Sequence, residues 1–191
     1  IRGSDLYAGG EFTTAGGVSA NSIAKWDGTA WSALSSGLNY AFEPTTYVYS
    51  IAIAGSDLYA GGYFTTAGGV SANGIAKWDG SAWSALGSGV FSGGVVRSVV
   101  AVGRSVYAGG VFTGAGDSSA NYIAKWNGSR WLPLGSGTNS YVSAVAVNDR
   151  GLFAGGYFTK AGGKASAFIA RWSPAGVYST VHVPVNARWN M

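Results

Sequence analysis

Between Val48 and residue 86 the apolar positions fall with a period of two, and nowhere along the chain with the period of a helix. Val48-Tyr-Ser-Ile-Ala-Ile-Ala alternates large with small residues and is rich in β-branched side chains, which predicts a strand packed on both faces. Gly55-Ser56-Asp57 predicts a turn, and residues 58–65 a second strand, in which Gly61-Gly62 leaves room for a neighbouring backbone or a bulge. A loop over residues 66–73 follows. Ile75–Trp78 predicts a third strand, Asp79-Gly80 a tight hairpin, and residues 83–86 a returning fourth strand.

This unit recurs. Leu6-Tyr-Ala-Gly-Gly-Glu-Phe-Thr, Leu58-Tyr-Ala-Gly-Gly-Tyr-Phe-Thr, Val106-Tyr-Ala-Gly-Gly-Val-Phe-Thr and Leu152-Phe-Ala-Gly-Gly-Tyr-Phe-Thr stand 52, 48 and 46 residues apart. Each is followed, 19 positions after Tyr7, Tyr59, Tyr107 or Phe153, by a tryptophan with Lys or Arg before it: Trp26, Trp78, Trp126 and Trp172. Units this short bury a core only against one another, so the chain reads as one domain. Four antiparallel strands per unit predict an all-β, four-bladed β-propeller over residues 1–176, with blades at about 1–38, 47–89, 95–137 and 141–176. Residues 177–191 form a separate C-terminal segment.

The Gly-Gly doublet in the second strand, the aromatic in the third and the tryptophan opening the fourth resemble kelch-type repeats. In particular they are similar to bacterial secreted propeller repeats of the form Gly-Gly-x-Phe-Thr-x-Ala-Gly-Gly, then Ile-Ala-x-Trp-Asp-Gly and Trp-x-x-Leu. The resemblance covers the chain to about Trp172. It implies a protein of a mostly non-catalytic, binding or surface-exposed kind.

Composition narrows the partners. Hydrophobic residues make up 47% and charged residues 10%, against roughly 25% charged in ordinary soluble domains. No apolar run approaches the roughly 18 residues of a membrane span, so none is expected. Twelve Lys and Arg against eight Asp and Glu give +4, but the cations are dispersed, and nucleic acid is not an expected partner. Lys25, Lys77, Lys125 and Arg171 share one slot before the third-strand tryptophan, which reads as a solvated strand face whose long stems cover aromatic rings. Cysteine is absent, so disulfide and thiolate chemistry are excluded. Low charge, abundant Ser, Thr and Gly, and the sequon Asn127-Gly128-Ser129 point to a secreted or cell-surface setting, with Asn127 the glycosylation candidate.

Trp26 and Trp31, Trp78 and Trp83, and Trp126 and Trp131 stand five apart across the hairpin. They are expected as cross-strand neighbours that pack on the adjoining blade rather than stack on a sugar. Recognition is expected instead in the connections between blades, residues 35–46, 87–94 and 135–140, which vary in length and share one end with the Phe-Thr-x-Ala-Gly-Gly loops. Asn39, Tyr40, Phe42, Phe91 and Asn139 are the candidate contacts, for carbohydrate or for a surface protein.

Catalytic signals are thin. The one histidine, His182, has no assignable partner, and Asp5, Asp27, Asp57, Asp79 and Asp149 sit where turns call for them. Glu11 and Glu43 offer the only conceivable glycosidase carboxylates, and Glu11 occupies a repeat position held elsewhere by Tyr63, Val111 and Tyr157. There is no calcium loop, zinc spacing, phosphate-binding or dinucleotide signature, so neither enzyme activity, a metal nor a cofactor is expected.

At the ends, Ile1-Arg-Gly-Ser-Asp-Leu-Tyr aligns with Ile53-Ala-Gly-Ser-Asp-Leu-Tyr, so the first blade starts at the last two residues of its innermost strand. Ser173-Pro-Ala-Gly replaces the last hairpin, and Val177-Tyr-Ser-Thr-Val-His-Val183 resembles the innermost strand starting at Val48. An unfilled strand slot leaves unpaired backbone groups that invite a partner. The tail is expected to close the ring in cis, as the fourth blade's outer or the first blade's inner strand, or to enter a neighbouring subunit in self-association, unless the chain is part of a longer propeller. Ile1, Val177, Tyr178, Val181, Val183 and Trp189 are the residues named for that closure.

Overall fold

A computed structural model describes residues 3–41, 45–91 and 93–173, and the backbone of 178–180. Ile1, Phe42, Glu43, Val177, Val181, His182, Val183 and Trp189, named above, lie outside the described residues. The described chain is all-β, built from several small antiparallel sheets.

Each repeat forms one principal sheet in which strands pair in chain order. The second contains Tyr47–Ala54, Asp57–Tyr63, Ile75–Trp78 and Trp83–Ala85. The third contains Val95–Val102, Ser105–Val111, Ile123–Trp126 and Trp131–Pro133. In the first repeat the described strands are Leu6–Gly9, Ile23–Trp26 and Trp31–Ala33. The fourth has Val142–Asn148, Gly151–Gly156 and Ile169–Trp172, and Tyr178–Thr180 pairs beside the last of these with Tyr178 opposite Trp172. That segment of the tail therefore takes the outer-strand position of the fourth repeat, the place Trp131 holds in the third.

The Gly-Gly doublets explain how sheets meet. A Cβ on Gly61 would stand 2.5 Å from Val99 Cγ2 and 2.7 Å from Val96 Cγ1, side chains of the next repeat's first strand. Gly9 seats Val48 and Ile51, and Gly109 seats Val142 and Val145, in the same way. The second glycine serves its own sheet: a Cβ on Gly62, Gly110 or Gly156 would collide with the carbonyl oxygen of Tyr47, Val95 or Tyr141. Opposite each doublet the first strand carries one extra residue, Tyr49, Arg97 or Ser143, as a β-bulge. The doublet thus makes room both for the neighbouring sheet and for the bulge.

The core accordingly lies between sheets. Three clusters of buried side chains straddle the three junctions: Ile23, Leu38 and Phe64 in the first, Ile75, Val90 and Phe112 in the second, and Ile123, Val142 and Phe158 in the third. Burial of this kind contributes about 25 cal/mol per Å² of apolar surface, so no sheet is expected to persist alone. The paired tryptophans meet across the hairpin, with Trp78 opposite Trp83 and ring centroids 5.5 Å apart. Buried Trp83 donates its indole N–H to Leu34 O at 2.9 Å and Trp131 donates to Leu86 O at 2.7 Å, each a carbonyl of the preceding repeat. Structural packing therefore accounts for the second tryptophan of the pair.

Trp78 and Trp83 pair directly, as their spacing predicts, across a four-residue loop that the Asp79 carboxylate organises: Oδ1 accepts from Ser81 N, Ser81 Oγ and Ala82 N, each at 2.8 Å. One local feature differs from the sequence reading. The stretch 66–73 is a small ribbon rather than a plain loop: Thr66–Ala67 pairs with Val70–Ser71 around Gly68 and Gly69, whose φ values of 56° and 84° close the turn. Leu38–Asn39, from the preceding connection, adds a third strand to that ribbon.

Candidate functional site

The connections between repeats are anchored on the next repeat's ribbon. Gly68 N donates to Gly37 O, Gly116 N to Gly89 O and Gly162 N to Gly137 O, all at 2.8 Å. Asn21, Asn73 and Asn121 donate side-chain N–H groups to Ser36 O, Ser88 O and Ser136 O at 3.1–3.2 Å. Connections and ribbons therefore share one end of the sheets, which we call the rim; the short hairpins, such as that at Asp79, occupy the other.

The rim holds the ligand-contact candidates that fall on described residues. Asn39 lines a cleft of about 330 Å³ with Glu11, Asn21 and Thr46. Its amide is engaged locally, donating to Ser36 O and accepting from Asn21 Nδ2, both at 3.4 Å. Asn139 is tied more firmly, with Oδ1 accepting from Thr159 N at 2.9 Å and Lys160 N at 2.8 Å, and Nδ2 donating to Thr159 Oγ1 at 3.0 Å. These amides shape loops. Tyr40 stacks on Tyr63 at 4.3 Å between centroids. Phe91, 45% exposed, packs its ring over Gly114, where any Cβ would clash with it, and lines a cleft of about 250 Å³ with Tyr122. Phe42 lies outside the described residues.

The sequence reading did not anticipate an aromatic ladder across the rim. Tyr47 and Tyr49 stack at 5.7 Å with planes 5° apart. The Arg97 guanidinium carbon lies 5.9 Å from the Tyr49 ring centroid and 5.5 Å from that of Tyr141. Tyr141 in turn stacks on Tyr157 at 4.6 Å. Tyr49 and Arg97 are the bulge residues of their strands, so the irregularity made by each Gly-Gly doublet aims these side chains toward one another. Tyr49 is 49% and Tyr157 65% exposed, and Arg97 is exposed as well. The signal in the sequence is the residue that follows the buried valine opposite the doublet: Tyr49 after Val48, Arg97 after Val96.

Chemically the ladder offers a flat aromatic surface with a guanidinium in its middle. The guanidinium carbon lies over two tyrosine rings, and guanidinium N–H groups suit carboxylate or sulfate oxygens. Asn127, the sequon residue, sits exposed in a hairpin at the other end, its Oδ1 accepting from Ser129 N, Ser129 Oγ and Arg130 N. No helix among the described residues is long and apolar enough to cross a membrane. No family model matches this chain, and no curated protein matches it.

Proposed function

We propose that this chain is a non-catalytic, extracellular binding or adhesion scaffold of the β-propeller kind, with four kelch-like blades and the rim as its recognition surface. The observation that carries the reading is the Tyr47–Tyr49–Arg97–Tyr141–Tyr157 ladder, which spans three repeats and exposes Tyr49, Arg97 and Tyr157 with Tyr47 and Tyr141 half-buried beside them. Exposed aromatic rings around one arginine on a rigid scaffold are the composition of a recognition hot spot. Of the two ligand classes, carbohydrate and surface protein, the ladder favours an acidic glycan, whose rings stack on tyrosine and whose anion pairs with Arg97. The test is a glycan array probed in parallel with capture of surface proteins. Arg97→Ala is expected to lower acidic-glycan retention by roughly tenfold, the loss of one charge-assisted pair, with the melting temperature unchanged. Undiminished retention by that variant, or silence across both assays, would overturn the reading.

A second reading has its own observation. Gly9, Gly61 and Gly109 each seat a following sheet, whereas among the described residues a Cβ on Gly155 would meet only Phe168 O, at 3.8 Å. Phe168 and Tyr157 beside it are 61% and 65% exposed. A face built like the other three, with no sheet seated on it among the described residues, is suited to another repeat, supplied by ring closure with the first blade, by more of the same polypeptide or by a second copy of the chain. The last of these makes the protein a structural subunit assembling head to tail.

A further inference from the structure

At the hairpin end, opposite the rim, a cleft recurs at the first two sheet junctions. One, of about 440 Å³, has Asp5, Tyr7, Lys25 and Ser32 on one wall and Trp78 on the other. Its counterpart, about 450 Å³, has Asp57, Tyr59, Lys77 and Ser84 facing Trp126, with Arg104 at its margin. Both volumes fall in the roughly 300–1,000 Å³ range of small-ligand sites. Lys25 Nζ lies 3.4 Å from Asp5 Oδ2 and Lys77 Nζ 3.5 Å from Asp57 Oδ2, and the Tyr59 hydroxyl also donates to Asp57 Oδ2 at 3.4 Å. Charge pairs this long and about one-third exposed contribute little to stability, so folding alone gives weak reason to keep them twice.

We propose that these two clefts are equivalent binding sites for one neutral pyranose each. The carboxylate accepts from one ring hydroxyl and the ammonium donates to its neighbour, so the pair clamps a vicinal diol. The apolar face of the sugar lies on the half-exposed indole of Trp78 or Trp126, as a ring with one wet edge suits an aromatic platform. Among the described contacts the protein's bonds to the Asp57 side chain end on Oδ2, leaving Oδ1 to accept the sugar. Within the first cleft the Asp5 and Lys25 charges cancel, which suits an uncharged ligand. The third junction lacks the clamp: Ser105, Leu132 and Pro133 replace Asp57, Ser84 and Ala85, and Lys125 Nζ turns to the Tyr107 ring, 5.5 Å from its centroid. The described residues therefore carry two sites, and a glycan reaching both gains avidity.

This site is separate from the rim and does not depend on it. The experiment is an NMR titration of the full chain with methyl glycosides of glucose, galactose, mannose and N-acetylglucosamine, read at the tryptophan indole N–H signals. Saturable shifts of Trp78 and Trp126 are expected, with Asp5→Asn silencing only the first and Asp57→Asn only the second, each by tenfold or more in affinity. Lys25→Met and Lys77→Met, which keep the stem's packing, are expected to give the same pattern should an Asp variant fail to fold. Ser105→Asp combined with Leu132→Ser is expected to add a third binding equivalent, and Arg97→Ala to leave the shifts as they are. Absence of saturable shifts with all four sugars, or shifts that persist in the Asp5→Asn/Asp57→Asn double variant, would overturn the proposal.

Discussion

At the scale of single residues, the hairpin aspartates show how one atom organises a turn. Asp27 and Asp79 are held down at about 2 against an ordinary value of 3.8, because backbone N–H groups and the Thr29 or Ser81 side chain donate to the ionised carboxylate. A carboxyl depressed in the folded state stabilises the fold above its unfolded value and loses that contribution as pH falls. Stability is therefore expected to decline between about pH 4 and pH 2. Asn127 makes the same three hydrogen bonds without a charge in the third repeat. The Asp27→Asn/Asp79→Asn variant should keep its hairpins and show a flatter acid limb in chemical denaturation followed across that range. An unchanged acid limb would mean that other groups govern it. Phe168 offers a second test, since it holds φ at 65° while 61% exposed, at a position where the second repeat has Gly74. Replacing it with glycine removes a left-handed strain of about 1–2 kcal/mol against a smaller entropic loss. A small rise in melting temperature is the expected outcome, and a fall would show that the exposed ring packs on something.

At the scale of elements, the Gly-Gly doublet makes a quantitative demand. Gly109→Ala forces a methyl to within 2.6 Å of Val142 Cγ1, an overpacking expected to cost about 1–3 kcal/mol. Gly155→Ala, at the same repeat position, meets nothing closer than 3.8 Å among the described residues and should be neutral in the lone chain. Paired thermal melts decide it, and equal losses at both positions would show that the fourth sheet's face is covered. Strands were the most legible part of the sequence, because period-two alternation and the Gly-Gly and tryptophan landmarks are local signals. The ribbon at Thr66–Ser71 was missed although Gly68-Gly69 announces a turn, because strands two residues long carry no periodicity. The bulge was legible as room beside Gly61-Gly62, but not its consequence. That Arg97 lies between Tyr49 and Tyr141 depends on stacking between residues 44 to 48 positions apart, which no single repeat encodes. The Asp–Lys clefts stayed hidden for the same reason: each half is on one sheet and its tryptophan on the next.

At the scale of the whole molecule, the first and last sheets of the series differ from those between them among the described residues. The Leu6–Gly9 strand pairs along one edge with Ile23–Trp26, and the edge that other repeats give to a first strand is open among the described residues. The fourth sheet, conversely, offers a glycine face on which no sheet is seated among the described residues. A surface that fits a different surface on the same chain makes a heterologous contact, which closes into a ring or runs on as a fibre according to the rotation between units. Weak surface charge, 10% of residues, gives little repulsion to oppose it. If copies associate through this face, light scattering should show mass rising with concentration, and Gly155→Arg should return the protein to monomers because a charged side chain would stand where a Val pair must pack. A monomer at every concentration, with Gly155→Arg indistinguishable, would remove the assembly reading and leave recognition at the rim and in the clefts untouched.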